Sequence, residues 1–286
     1  MNLQNIITEI EKVDPEVYDR LDTRRSAMKQ FAFAGKVLAA AAIPTALGSM
    51  FNKAYGRNSN DIVGVLQFAL TLEYLEAEFY NKGLAMNVIA GEDIPAFQVI
   101  AKHENAHVAL LISTIQALGG TPVPKPTFDF TAGNGSMAGP FTGVFSNYNL
   151  YLAVSQTFED TGVRAYKGQA THLMSNDAVL TAALRIHSVE ARHASHVREI
   201  RRRRKDNGTD GGLVVGLLQP WITLNQSGIA SPAVQPSYNG EELTTQAGIN
   251  IVGINGFDIS AEDASEAFDE PLTKEQVLMI VDPFIV

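Results

Sequence analysis

Glu73, Glu104 and His107 recur as Glu159, Glu190 and His193, each displaced by 86 residues. In both halves a Glu is followed 31 residues on by Glu-x-x-His, and Tyr80 and Tyr166 each stand seven residues past the first Glu. Independent residues would not keep one offset across four positions. Two helix hairpins carrying Glu and Glu-x-x-His inward can build a two-metal carboxylate site inside a four-helix bundle. The expected fold is therefore all-α: two matched hairpins joined by one long crossover between the second and third helices.

Hydrophobic periodicity places the helices. The first is expected from the capping cluster Asn58-Ser59-Asn60-Asp61 to Lys82. Leu66, Ala69, Leu70, Ala77 and Tyr80 lie on its apolar stripe with Glu73. Glu78 is expected to pair with Lys82 at i,i+4 on the solvent side. Glu76 falls between these faces and has three readings: an extra ligand, a hydrogen-bonding neighbour of the ligands, or a solvent-facing carboxylate. The second helix spans 94–118 and stops at Gly119-Gly120 and Pro122. A stretch rich in Pro, Gly and Ser over 121–147 supplies the crossover. The third helix covers 148–174, with Glu159 flanked by Leu152, Val163 and Tyr166. The fourth follows Ser175-Asn176-Asp177 and aligns Ile186, Glu190, His193, Ala194 and Val197. Its basic end, Arg201 to Lys205, reads as a solvated terminus that complements the helix dipole.

The expected organisation is an N-terminal segment (1–57), the bundle (58–206) and a mostly irregular C-terminal extension (207–286). Apolar patches at 213–218 and 249–254 predict that the extension folds back on the bundle, and Thr273/Gln276 predict a capping box. In the N-terminal segment, Thr23-Arg24-Arg25-Ser26-Ala27-Met28-Lys29 precedes the apolar run 37–47 and the small residues Ala46-Leu47-Gly48. This pattern resembles a twin-arginine export signal, with an apolar run too short to span a bilayer. It predicts a periplasmic protein, the alternative being a cytoplasmic one with an amphipathic N-terminal helix. A net charge of −9 argues against nucleic acid as a partner. The absence of Cys excludes thiolate zinc sites, iron–sulfur clusters and a rubredoxin-type donor within the chain.

Four carboxylates facing an apolar interior need compensation, because an unpaired buried charge costs several kcal/mol. Two divalent cations would neutralise Glu73, Glu104, Glu159 and Glu190, and His107 and His193 would add one imidazole each. Oxygen and nitrogen donors without thiolate suit iron or manganese, with zinc also compatible. The symmetry of the repeat makes Glu104 and Glu190 the bridging ligands and Glu73 and Glu159 terminal ones. Tyr80 and Tyr166 read either as core aromatics with satisfied hydroxyls or as redox-active phenols. Asp160 reads as a partner for a ligand imidazole or as a helix-surface group. His103 and His172 are not expected to be ligands, nor are His187 and His196, which could extend a proton path. Gly162, one turn past Glu159, is read as a gap through which a small oxidant approaches.

The segments 70–80 (LTLEYLEAEFY), 102–107 (KHENAH), Phe158-Glu159-Asp160 and Val189-Glu190-Ala191-Arg192-His193 resemble the ferritin-like superfamily. Within it they are similar to the bacterial ferritin-like group that includes the plant desiccation-related proteins. Bacterioferritins, rubrerythrins and manganese catalases are more distant likenesses. The resemblance runs over about 61–204 and extends to the ending Ala267-Phe268-Asp269-Glu270-Pro271-Leu272. It implies a ferritin-like bundle with a di-iron or di-manganese site. Three functions follow as expectations. The first is redox chemistry on oxygen or hydrogen peroxide, with an external electron donor where the reaction is peroxidatic. The second is a non-enzymatic envelope or stress protein with a structural metal site. The third is iron oxidation and storage. Homo-oligomerisation stays open.

Overall fold

The computed structural model describes residues 59–286. The twin-arginine pattern, the apolar run after it and Asn58 of the first capping cluster lie outside the described residues. Four long helices dominate: α1 (Ser59–Ala85), α2 (Ile94–Ala117), α3 (Tyr148–Ala170) and α4 (Asp177–Asp206). The chain belongs to an all-α class, and among the described residues no helix is long and apolar enough to cross a membrane. α1 packs along α2 and α3 along α4, so each sequence repeat is one helix hairpin.

Local chemistry sets the helix ends. Pro95 sits in the first turn of α2, where a missing N–H costs nothing. Gly119 takes φ +81° just past its end, a conformation that a side chain would strain. The Asn147 side chain accepts from the amides of Asn149 and Leu150 to start α3, and Asn176 accepts from Val179 to start α4. α3 ends at Ala170 and tightens into a 3-10 turn, Thr171–Leu173, slightly before the expected boundary.

The crossover is ordered by the chain's own C-terminus. The Asp129 carboxylate accepts from the backbone N–H groups of Thr131, Gly135 and Met137. The amide of Asp129 donates to Phe284, and that of Val286 donates to Thr127. Beyond α4 come a two-residue hairpin of β1 (Thr245–Gln246) and β2 (Ile249–Asn250), then α5 (Ala261–Glu266) and α6 (Lys274–Val281). α6 opens with the expected Thr273/Gln276 capping box. α5 carries a second capping box, Ser260/Asp263.

α3 is the axis of the molecule: every residue from Tyr151 to Tyr166 is buried. One face meets the other helices and the opposite face is covered by the tail. Gln156 donates to the Ser227 carbonyl at 2.8 Å and to the Tyr238 hydroxyl at 2.9 Å. Arg164 donates to the carbonyls of Ser237, Asn239 and Glu270 and pairs with Glu241 at 2.6 Å. Burying this polar face is possible because Gln156, Asp160 and Arg164 on it each have partners.

Four local expectations are corrected. The patch at 249–254 is not an anchor: Ile249 and Val252 are exposed, and Ile222, Ile229, Val234 and Tyr238 dock the tail instead. Glu78 pairs with Lys125 at 2.5 Å rather than with Lys82, whose ammonium lies over the rings of Phe130 and Phe145. The basic end of α4 is solvated only in part, with Arg203 and Lys205 exposed. Arg201 is buried and bonds Gln156 and the Leu213 and Gly228 carbonyls, Arg203 pairs with Asp93, and Arg204 donates to Asn149 at 2.6 Å. Asp160 is buried against Arg198 and the Tyr238 hydroxyl, so it neither contacts a cluster imidazole nor lies on the surface.

Candidate metal centre

Each long helix delivers its part from a buried stripe. Glu73 comes from α1, Glu104 and His107 from α2, Glu159 from α3, and Glu190 and His193 from α4. The four carboxylates are 0% exposed, His107 8% and His193 5%. Nδ1 of His107 lies 3.2 Å from Glu73 Oε2, 3.0 Å from Glu104 Oε2 and 3.0 Å from Glu190 Oε1. Nδ1 of His193 lies 3.0 Å from Glu104 Oε1, 3.3 Å from Glu159 Oε2 and 3.5 Å from Glu190 Oε2. Glu104 and Glu190 thus reach both imidazoles, one oxygen to each, whereas Glu73 and Glu159 reach one.

Two donor sets result: Glu73, Glu104, His107 and Glu190, and then Glu104, Glu159, Glu190 and His193. With metal–ligand bonds of about 2.1 Å, neighbouring donors around a tetrahedral or octahedral ion lie roughly 3.0–3.4 Å apart. The observed spacing is of that kind. Hydrogen bonding does not account for it, because one ring N–H cannot serve three carboxylates. Glu104 Oε1, Glu159 Oε2, both oxygens of Glu190 and His193 Nδ1 are buried without a hydrogen-bond partner. Orphaned polar atoms of this density are expensive unless an ion satisfies them. The residues present fit a pair of metal ions.

Without metal, protons take that place. Burial pushes the Glu73 and Glu159 carboxyls well above the usual range, with Glu190 adding to the effect. Burial alone would depress the imidazole of His193, but Glu159, Glu104 and Glu190 outweigh it and push it up to about 12. His107 moves the same way, with burial overcome by Glu104, Glu190 and Glu73.

The two tyrosines are exchanged between the repeats. Tyr80 of the first hairpin donates to Glu159 of the second, and Tyr166 of the second donates to Glu73 Oε1 of the first at 2.5 Å. The phenols therefore hold the outer oxygens of the two non-shared carboxylates.

Other residues settle differently from expectation. Glu76 is 4% exposed and faces the cluster, with burial and then Glu190 raising its carboxyl well above the usual range. The solvent-facing reading of Glu76 is excluded, and it belongs to neither four-residue donor set. The gap expected at Gly162 is occupied by this side chain: a Cβ there would stand 3.3 Å from Glu76 Oε1 and 3.7 Å from Glu190 Cγ. His187 turns away and bonds the Val163 carbonyl at 2.9 Å, and His196 and His172 are exposed, so none of them continues the cluster.

His103 belongs to neither donor set, as expected, but it supports one of the imidazoles. Its Nδ1 lies 2.9 Å from Nε2 of His193, with the rings stacked at 5.2 Å. Burial and then His193 lower the pKa of His103, so it accepts from His193 Nε2–H and fixes Nδ1 toward the carboxylates. The signal was its place one turn before His107 on the same helix.

A search among curated proteins finds no match. A family model described as a ferritin-like domain matches residues 61–203, the stretch holding nearly all of the four long helices and every residue of the cluster. With half of its length in that match and the matched helices closing around one buried Glu/His cluster, the chain belongs to the ferritin-like domain family.

Proposed function

We propose that Glu73, Glu104, His107, Glu159, Glu190 and His193 hold two iron or manganese ions, and that the pair carries out redox chemistry on oxygen or hydrogen peroxide. The observation that carries this reading is the set of buried, partnerless carboxylate oxygens surrounding two imidazole nitrogens. When bound, the ions supply two one-electron redox changes side by side, matching the two-electron reduction of either oxidant.

The chain's own groups prepare the site for that chemistry. Glu104 and Glu190 span both donor sets and fix their separation. Tyr80 and Tyr166 hold protons at the outer oxygens of Glu159 and Glu73. Glu76 holds a proton at its buried carboxyl beside Glu190, where reduction of an oxidant consumes protons. Phe79, Phe97, Leu70 and Leu152 form part of the apolar core that excludes bulk water. Reducing peroxide to water requires two electrons and two protons, and an external donor must replace the electrons unless a second peroxide supplies them. An iron-storing shell is the less favoured reading, because a tail over 207–286 is an awkward addition to a shell built on symmetric interfaces.

The test is elemental analysis of protein purified without added metal, beside a Glu104→Ala/Glu190→Ala double variant. Near two iron or manganese ions per wild-type chain, absent from the variant, with consumption of oxygen or peroxide by the loaded protein, is the expected result. Failure of the wild type to take up metal after reconstitution sinks the proposal. Metal uptake without turnover of either oxidant leaves only a structural site.

A further inference from the structure

Beside the cluster, the four helices enclose a second feature. It is a cavity of about 20 Å³, room for roughly one water-sized molecule. Leu66 and Leu72 of α1, Leu111 of α2, Ala165 of α3 and Ile186 of α4 line it. Leu72 directly precedes Glu73, Leu111 is one turn past His107, and Ile186 is one turn before Glu190. Tyr166 forms part of the same wall, and its hydroxyl donates to Glu73 Oε1 at 2.5 Å. The cavity therefore abuts the donor set of Glu73, Glu104, His107 and Glu190.

The polar atoms of this wall are mostly committed. The Thr114 hydroxyl donates to the Leu110 carbonyl at 2.7 Å, and the Tyr166 hydroxyl is bound to Glu73. Only the Gln169 amide remains, and it also lines a broad surface groove with Val65, His172 and Lys274. Gln169 and Val65 thus partition an outer polar groove from an inner apolar chamber. Away from the Gln169 edge, water or hydrogen peroxide in that chamber would leave its O–H groups without a free side-chain acceptor, at a cost of several kcal/mol. A small apolar molecule faces no such cost, and apolar cavities of this type stay dry and take up apolar guests.

We propose that this cavity is a binding site for dioxygen, poised one side chain from the cluster. The assignment rests on the redox reading above and names its oxidant. Size admits a diatomic and excludes an organic substrate of any length. The lining selects dioxygen over peroxide, and the wall shared through Tyr166 places the guest against Glu73.

The experiment has two arms on the full chain. In the first, metal-free protein is placed under dioxygen pressure, and the paramagnetic relaxation of methyl groups is read by NMR. Strong relaxation of the Leu66, Leu72, Leu111 and Ile186 methyls, exceeding that of exposed methyls such as those of Leu217, is expected. In the second, Ala69→Leu and Ala183→Leu, which fill the cavity from α1 and α4, are loaded with ferrous iron and mixed with dioxygen or peroxide. Oxidation by dioxygen is expected to slow several-fold, with peroxide oxidation unchanged. Having two variants guards against one that does not fold. Relaxation no greater than at the surface overturns the proposal, as does an equal loss with both oxidants. If the chain takes up no metal, the redox reading fails alone, and the first arm still decides the cavity.

Discussion

Glu76 has Gly162 as its counterpart 86 residues on, and His103 has Val189. At both positions the first half supplies a functional group that the second half lacks. His193 therefore has a hydrogen-bonded imidazole behind it, while the corresponding position behind His107 is an aliphatic side chain. The two ends of the cluster are chemically unequal although their donor sets match. Groups that orient a ligand imidazole typically alter metal affinity by about 10–100-fold. His103→Ala should weaken one of the two metal-binding steps by about that factor and spare the other. His103→Gln, whose amide oxygen can still accept, should recover most of it. Metal titration followed by calorimetry reads both steps, and equal weakening of the two would refute a positioning role for His103.

At the scale of elements, α3 and the tail depend on each other. Gly168 shows how close the approach is: a Cβ there would lie 1.9 Å from the backbone oxygen of Leu272. The amide of Leu272 also donates to the Arg164 carbonyl at 3.1 Å, so that strand of chain cannot simply move away. Gly168→Ala gains helix propensity of about 1 kcal/mol but forces a backbone displacement. With backbone rather than a flexible side chain in the way, the displacement costs at least the upper end of the about 1–3 kcal/mol typical of overpacking, and the net loss is read as a lower melting temperature with the secondary structure intact. An unchanged or raised melting temperature would show that the tail is not seated there. The four helices and the cluster were legible because they follow repeat spacing and a 3.6-residue periodicity, which are local signals. The seating of the tail was not. Its anchors, Ile222, Ile229, Val234 and Tyr238, are scattered among turns, and its bonds to Arg164 are contacts across 73 to 106 positions of sequence, with those to Arg201 across 12 and 27. Arg201 reads as solvated because a basic helix end is stabilising in water, and nothing local reveals the carbonyls that cover it. Glu76 was ambiguous for a related reason: its burial depends on Gly162, on another helix.

For the whole molecule, the choice is between protons and metal ions as the charge that fills the bundle's centre. In the metal-free protein His193 holds its proton up to about 12, and His107, Glu73 and Glu159 are raised in the same direction. Throughout the range from pH 6 to 8 a metal must therefore displace protons, and its apparent affinity rises with pH, about tenfold per unit for each proton released. Binding to the folded chain alone stabilises it by about 4 kcal/mol when free metal is a thousandfold above its dissociation constant. The melting temperature should rise on adding ferrous or manganous ion, by a larger margin at pH 8 than at pH 6, and chelation should reverse the rise. The Glu104→Ala/Glu190→Ala variant should show no dependence of melting temperature on metal at either pH. A stabilisation that grows as pH falls would mean the ions bind elsewhere than among these imidazoles and carboxylates, since competition with protons at this cluster can have only the opposite sign.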